Sequence, residues 1–197
     1  MIKRPTPSRG KTVGILALHG DVAEHREVLE LLKANVVEVR TPKDLALVDR
    51  LIIPGGESTV MEKLLETSGL RKAIADRVKE GTLPVYGTCA GAILIARKAK
   101  GLHAPNTLQL IDIDVERNAY GTQTHSFETS LRVKGSASPV RVAFIRAPKI
   151  GRVGKDVEVL AAHEGKPVLV KQGSVLAGTF HPEIRGRTDI HRLFLEL

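Results

Sequence analysis

Short apolar runs alternate with segments of helical periodicity along the first hundred residues. Residues 12–18 (T-V-G-I-L-A-L) are almost continuously apolar, the pattern of a strand buried on both faces of a parallel sheet. After a His19-Gly20 turn, Asp21 and Glu24 form a capping-box-like pair. A helix is expected from there to about residue 35, with Val28, Leu29 and Leu32 on one face. Residues 36–40 read as a second strand, and Pro42 opens a short helical turn ending near Val48. Residues 50–53 read as a third strand, which runs into Pro54-Gly55-Gly56-Glu57-Ser58-Thr59. Helices follow over 59–66 and 70–80, with Gly81 as the stop. Residues 85–87 form a fourth strand, and a helix is expected from Cys89 to about residue 100. This alternation predicts a parallel sheet with right-handed crossovers and helices on both faces.

The second half changes character. Residues 108–115, 128–133, 140–145, 157–162, 168–171 and 175–179 read as strands, with Gln172-Gly173-Ser174 as a hairpin turn. Helical periodicity returns only at 189–197. The expected fold is α/β, with a mainly parallel central sheet and antiparallel strands added in the second half. No internal repeat or low-complexity segment interrupts it.

At 197 residues and 42% hydrophobic content the chain suits one domain. That domain is expected over 12–197. Residues 1–11 carry Lys3, Arg4, Arg9 and Lys11 with Pro5 and Pro7. They read as a flexible basic extension and lack the apolar core of a secretory signal. No run is long enough to span a bilayer. A single cysteine leaves no internal disulfide, which fits a reducing cytoplasm. The net charge of +8 raises nucleic acid as a partner, but the charges are spread along the chain and aromatics are only 3%. Neither a helix-turn-helix nor a zinc-finger spacing is present. The reading is a solvated basic surface, with neither nucleic acid nor membrane as a partner.

That one cysteine lies in Gly87-Thr88-Cys89-Ala90-Gly91, between a strand pattern and a helix pattern. A lone cysteine is most often a small buried hydrophobe. The G-x-C-x-G context changes this. Flanking glycines permit a sharp strand-to-helix elbow that lifts a nucleophile clear of the sheet, where nearby N–H donors favour a thiolate. A nucleophile needs a base, and the last expected strand runs into Phe180-His181-Pro182-Glu183. In extended geometry His181 and Glu183 leave the same side of the chain. Glu183 would then orient His181, and His181 would serve Cys89, a Cys-His-Glu triad. No H-E-x-x-H and no thiolate cage is present, so neither metal nor cofactor is expected. The Pro54-Gly55-Gly56-Glu57-Ser58 turn lacks the Gly-x-x-x-x-Gly-Lys of a phosphate loop. Beside a nucleophile, N–H groups of Gly55 and Gly56 would complete an oxyanion hole with that of Ala90.

P-G-G-E-S-T, G-T-C-A-G and F-H-P-E, in this order and spacing, resemble the class I glutamine amidotransferase family. V-E-R-N (115–118), S-F-E (126–128) and F-I-R-A-P (144–148) are similar to one branch of it, the glutaminase subunits of ribose-5-phosphate-dependent pyridoxal 5′-phosphate synthases. The resemblance runs from about residue 12 to the end. It implies a three-layer α/β/α fold and hydrolysis of L-glutamine to L-glutamate and ammonia through a glutamyl thioester on Cys89. It implies glutamine-binding roles for Gly56, Glu57, Ser58, Arg117, Ile145 and Arg146. It also implies a partner, a synthase subunit that receives the ammonia through a channel. The chain departs from the family at His19, where glutamine is usual. It departs again at Ala119-Tyr120-Gly121-Thr122 and in the basic stretch 184–188.

Overall fold

The computed structural model describes residues 10–101, 104–117 and 126–197. Residues 1–9 of the expected extension over 1–11, and the departure at 119–122, lie outside the described residues. Lys11 is fixed to the domain, because its Nζ donates to the Leu195 carbonyl at 2.6 Å.

The first half follows the expected alternation. β1 (Thr12–Leu16), β2 (Asn35–Val39), β3 (Arg50–Ile53) and β4 (Val85–Thr88) are joined by α1 (Val22–Leu31), the short α2 (Pro42–Leu45), α3 (Ser58–Thr67) and α4 (Leu70–Lys79). α5 (Ala90–Ile95) and β5 (Ala96–Lys100) follow β4. β6 (Ile111–Glu116), β7 (Phe127–Leu131), β8 (Val140–Phe144), β9 (Lys149–Val153), β10 (Glu158–His163), β11 (Lys166–Gln172) and β12 (Val175–Gly178) come next, and α6 (Asp189–Leu195) follows them. The main sheet has seven strands in the order β10-β11-β12-β4-β3-β1-β2. β12, β4, β3, β1 and β2 are parallel, and the sheet is extended by β11, antiparallel to β12, and by β10, antiparallel to β11. The hairpin turn is in place, with Gln172 opposite Val175 and Gly173 at φ 56°. β5-β6-β9 and β7-β8 form two smaller sheets.

Side-chain alternation along the buried strands feeds two cores. Leu16, Leu51, Ile53, Val85, Val175 and Ala177 join residues of α3, α4 and α5 on one face. Val13, Ile15, Ile52, Tyr86 and Leu176 join α1, α6 and the β7-β8 hairpin on the other. The result is three layers, with the carboxyl ends of β1, β3, β4 and β12 at one edge, where ligand sites form in such sheets. α6 is held by cations at its last carbonyls, as Arg50 Nη1 donates to Phe194 O at 2.7 Å beside Lys11 on Leu195.

Four expectations change. α1 ends at Leu31 rather than near residue 35, because Lys33 turns to φ 59° and Asn35 already opens β2. Asp21 stands at the N-cap of α1 but makes no side-chain cap bond. The reciprocal capping box is instead at Thr41 and Asp44, before α2. The helix after Cys89 stops at Ile95, and 96–100 is a strand. The N–H groups of Leu108 and Leu110 take the carbonyls of Leu94 and Ile95, which ends the helix. Arg97 and Lys100 then pair with Asp112 and Asp114 of β6. Finally, β9 is a strand that the apolar pattern did not predict.

Candidate active site

Cys89 sits between β4 and α5 at φ 48° and ψ −105°, a backbone region that costs a non-glycine residue of order 1–3 kcal/mol. The surroundings enforce it. The Cys89 N–H donates to Gly178 O of β12 at 2.8 Å. The neighbouring glycines allow a packing that no side chain would fit. A Cβ on Gly87 would lie 2.6 Å from Gly91 O, and one on Gly91 would lie 2.8 Å from the carbonyl carbon of Ile53 on β3. The elbow is therefore wedged between β3 and α5 and leaves Cys89 partly exposed.

β12 delivers the histidine. The His181 N–H donates to Ala143 O at 2.8 Å, tying the strand's continuation to β8. His181 Nδ1 lies 2.7 Å from Glu183 Oε1, and the imidazole lines the same cavity as Cys89. With Nδ1 engaged by Glu183, Nε2 is the nitrogen left for the thiol. Both residues are buried. The two side chains do not meet by strand alternation. Glu183 is helical (φ −72°, ψ −23°) at the head of the 3₁₀ turn Ile184–Gly186, so a bend at Pro182-Glu183 brings the carboxylate back to the ring.

Burial pushes the Glu183 carboxyl up, opposed by the hydrogen bond from His181. Burial alone would push His181 down. The hydrogen bonds and negative charge of Cys89 and Glu183 outweigh it and hold the imidazole up at about 10. The arrangement favours imidazolium beside an anionic partner near neutral pH. Asp21 Oδ2 lies 3.5 Å from His181 Nδ1, which explains why this carboxylate does not cap α1. Asp21, His181 and Glu183 bring three possible ligand atoms within 4.8 Å of one another, but His181 Nδ1 is already taken by Glu183.

The Pro54–Ser58 turn closes the opposite wall. Gly55 is required by close approach, since a Cβ there would be 2.6 Å from His181 Cε1 and 2.5 Å from Asp21 Oδ2. Gly55 O accepts from the Asp21 N–H at 3.3 Å. Glu57 caps α3 through the N–H groups of Thr59 and Val60 and pairs with Arg117 at 3.0 Å. Burial raises its carboxyl, but these donors and Arg117 hold it below the usual range. His19 is exposed, and its Nδ1 accepts from the Glu57 N–H at 3.5 Å.

A cavity of about 590 Å³ opens over these groups. Gly56, Glu57, Ser58, Arg117, Ile145 and Arg146 all line it together with Cys89, Ala90, His181 and Glu183. Of the expected site residues only Gly55 lies behind the lining, beneath the imidazole. Arg146 holds a left-handed backbone, φ 43°, and Ile145 O is 3.9 Å from Cys89 Sγ. The sequence pattern presented Asp21 only as a helix cap and gave no role to His25, Thr88 and His191, which pack behind the triad. A signal was present. His25 lies on the stripe of Val28, Leu29 and Leu32, and His191 is three residues before Phe194, so both fall on apolar helix faces.

Comparison with known proteins agrees with this geometry. The chain is 51% identical over 185 residues to pyridoxal 5′-phosphate synthase subunit PdxT of Thermus thermophilus, covering 94% of this chain and 96% of that one. It is 45% identical to the protein of that name from Thermotoga neapolitana, over 94% and 98%. A crystal structure of a glutamine amidotransferase superposes with a TM-score of 0.89 at 46% identity, over 93% and 97% of the two chains. Residues 15–197 match the SNO glutamine amidotransferase family, and the chain belongs to that family.

Proposed function

We propose that this protein hydrolyses L-glutamine to L-glutamate and ammonia as the glutaminase subunit of a pyridoxal 5′-phosphate synthase. The observation that carries the reading is one cavity lined by Cys89, His181 and Glu183, with His181 paired to Glu183. It lies in a chain 51% identical to a pyridoxal 5′-phosphate synthase subunit. Residues 12–197 act as one glutaminase domain.

In this mechanism the Cys89 thiolate attacks the side-chain amide carbon of glutamine. The oxyanion is met by the N–H groups of Ala90 and Gly56, with Gly55 shaping the turn. The His181 imidazolium gives its proton to the leaving nitrogen, the C–N bond breaks, and ammonia departs from a γ-glutamyl thioester on Cys89. Neutral His181 then takes a proton from water, the hydroxide attacks the thioester, and glutamate leaves as the thiolate returns. Glu183 keeps Nδ1–H oriented and offsets the imidazolium charge throughout. Glu57, Ser58 and Ile145 position the substrate. Arg146 offers its guanidinium to the α-carboxylate, and Arg117 supports this wall through Glu57.

Ammonia is useful to a synthase only if delivered before water protonates it. The physiological arrangement is therefore a hetero-oligomer with the synthase subunit that consumes it. The test is glutamate release from glutamine by the purified protein, alone and with the synthase subunit of a pyridoxal 5′-phosphate synthase, with Cys89→Ala as control. Strong stimulation that vanishes in the variant is the expected result. Equal turnover in both conditions would instead make the protein a free-standing hydrolase.

A further inference from the structure

Two fully buried histidines lie directly behind the triad, and the chemistry above uses neither. His25 on α1 and His191 on α6 meet with Nδ1 of His25 2.8 Å from Nε2 of His191. The other nitrogen of His25, Nε2, is 3.2 Å from Thr88 Oγ1 and 3.7 Å from Glu183 Oε2. Thr88 is the residue before Cys89. Two buried atoms of this chain of contacts, Glu183 Oε2 and His191 Nδ1, have no hydrogen-bond partner.

Only two neutral arrangements satisfy the 2.8 Å contact. In one, His25 Nδ1–H donates to His191. His25 Nε2 then accepts from the Thr88 hydroxyl with its lone pair facing the Glu183 carboxylate at 3.7 Å, and His191 is left with a buried N–H that donates to nothing. In the other, His191 Nε2–H donates to His25 Nδ1, and His25 Nε2–H points at Thr88 and Glu183. The atom then left over is a bare acceptor on His191. The first sets lone pair against anion and strands a donor; the second does neither. The groups around His25 agree. His191 faces it from α6, Tyr86 lies on β4 beside His191, His181 and Glu183 face it from beyond β12, and Asp21 precedes it on α1. Glu183 is the carboxylate facing its ring, at 3.7 Å, so a donor at Nε2 serves Thr88 Oγ1 and turns its positive end to one negative charge.

We propose that His25 is a positioning residue whose Nε2–H, 3.2 Å from Thr88 Oγ1, also turns its positive end towards the second oxygen of Glu183 at 3.7 Å, with its tautomer set by a hydrogen bond from His191 Nε2–H. The triad thereby continues inward as Cys89, His181, Glu183, His25 and His191, crossing from β4 to α1 and α6. A donor facing the second oxygen opposes rotation of the carboxylate away from His181 and favours its charge in a dry site. This role rests on the triad reading proposed above.

The test uses the full chain in the presence of the synthase subunit. Rates of glutamate release against pH are compared for the wild type, His25→Gln, His25→Leu and Cys89→Ala. Glutamine retains an N–H near the Nε2 position, whereas leucine fills the space with an apolar group. The expected result is that His25→Leu lowers kcat by roughly 10- to 100-fold with little change in KM, and that His25→Gln recovers a large part of it. The alkaline limb of kcat/KM in His25→Leu should move down by roughly one pH unit, because His181 loses part of its anionic partner. A merely structural role would make leucine equal to or better than glutamine and leave the pH limb in place, which would overturn the proposal. Nitrogen NMR of histidine-labelled wild type gives a reading that needs no variant to fold. His25 and His191 should both be neutral Nε2–H tautomers at pH 7, and an Nδ1–H tautomer at His25 would also overturn it. If Cys89→Ala keeps its activity, the triad reading itself fails and the positioning role falls with it. If Cys89→Ala is dead and the two His25 variants match, only the positioning role falls.

Discussion

Gly91 of α5 packs directly against the Ile53 carbonyl of β3, so that even a methyl group would stand 2.8 Å from the carbonyl carbon and closer still to its oxygen. The contact sets the distance between the nucleophile elbow and the neighbouring strand. Backbone on both sides leaves nothing that can rotate away. Gly91→Ala should therefore destabilise the protein by about 3 kcal/mol or more, at the upper end of overpacking costs. Whatever folds should have Cys89 displaced. Urea unfolding and the alkylation rate of Cys89 would measure the two effects. A variant of wild-type stability would mean that the elbow is looser than this contact implies.

Glu183→Gln keeps the shape of the relay and removes its charge. His181 is held up at about 10 against burial by Cys89 and Glu183. Loss of the Glu183 anion should bring the alkaline limb of kcat/KM to lower pH. It should also lower kcat by roughly 10²-fold or more, as when the orienting carboxylate of a triad is made neutral. A pH–rate profile reads both. An unmoved alkaline limb would show that Cys89 alone holds the imidazolium.

Much of this site was legible because its chemistry sits where strand patterns break. Glycines around Cys89, two glycines after β3 and a His-x-Glu after β12 each mark a backbone exception, and all three meet at one sheet edge. What stayed hidden depended on contacts distant in sequence. Nothing local to Ala96-Arg97-Lys98 announces that the helix has ended, because the decision lies with Asp112 and Asp114 on β6 and with carbonyls taken by Leu108 and Leu110. Asp21 looks like a cap until His181, 160 residues later, is seen 3.5 Å away. β9 belongs to a small sheet and carries Gly151 and Arg152 exposed, so its apolar alternation is too weak to register. The His181–Glu183 pairing was expected for the wrong geometrical reason, since a bend and not an extended strand brings the side chains together.

Glu57 combines two tasks that substitution can separate. It caps α3 and pairs with Arg117 across the cavity wall. Glu57→Gln keeps acceptor oxygen for the cap and loses the ion pair. Because the Glu57 side chain is 43% exposed, that pair should contribute no more than about 1 kcal/mol to stability. Unfolding should hardly change, while KM for glutamine rises. Glu57→Ala loses the cap as well and should cost about 1 kcal/mol more. Denaturation midpoints and KM values for the two variants test this. Equal KM for Glu57→Gln and wild type would confine Glu57 to capping.

The buried histidines make stability depend on pH in a window that carboxylates do not share. Burial pushes His191 down to about 3, and it pushes His25 well below the usual histidine range, helped by His191 and His181. In the unfolded chain both take up a proton below about pH 6.5. The unfolded state then binds more protons than the folded one, so stability must fall as pH drops below that value. For His191 the loss continues towards pH 3. Each histidine contributes a slope of roughly 1 kcal/mol per pH unit. His181 adds nothing here, since its folded value of about 10 leaves it protonated in both states. Its own contribution is lost on the alkaline side, between about 6.5 and 10. Glu183, pushed up by burial, works weakly against the trend. Urea midpoints between pH 6.5 and 4.5 should therefore fall with a slope near two protons in the wild type. They should fall with about one in His191→Leu. A flat profile across that interval would mean that the pair is charged, or reached by water, in the folded protein.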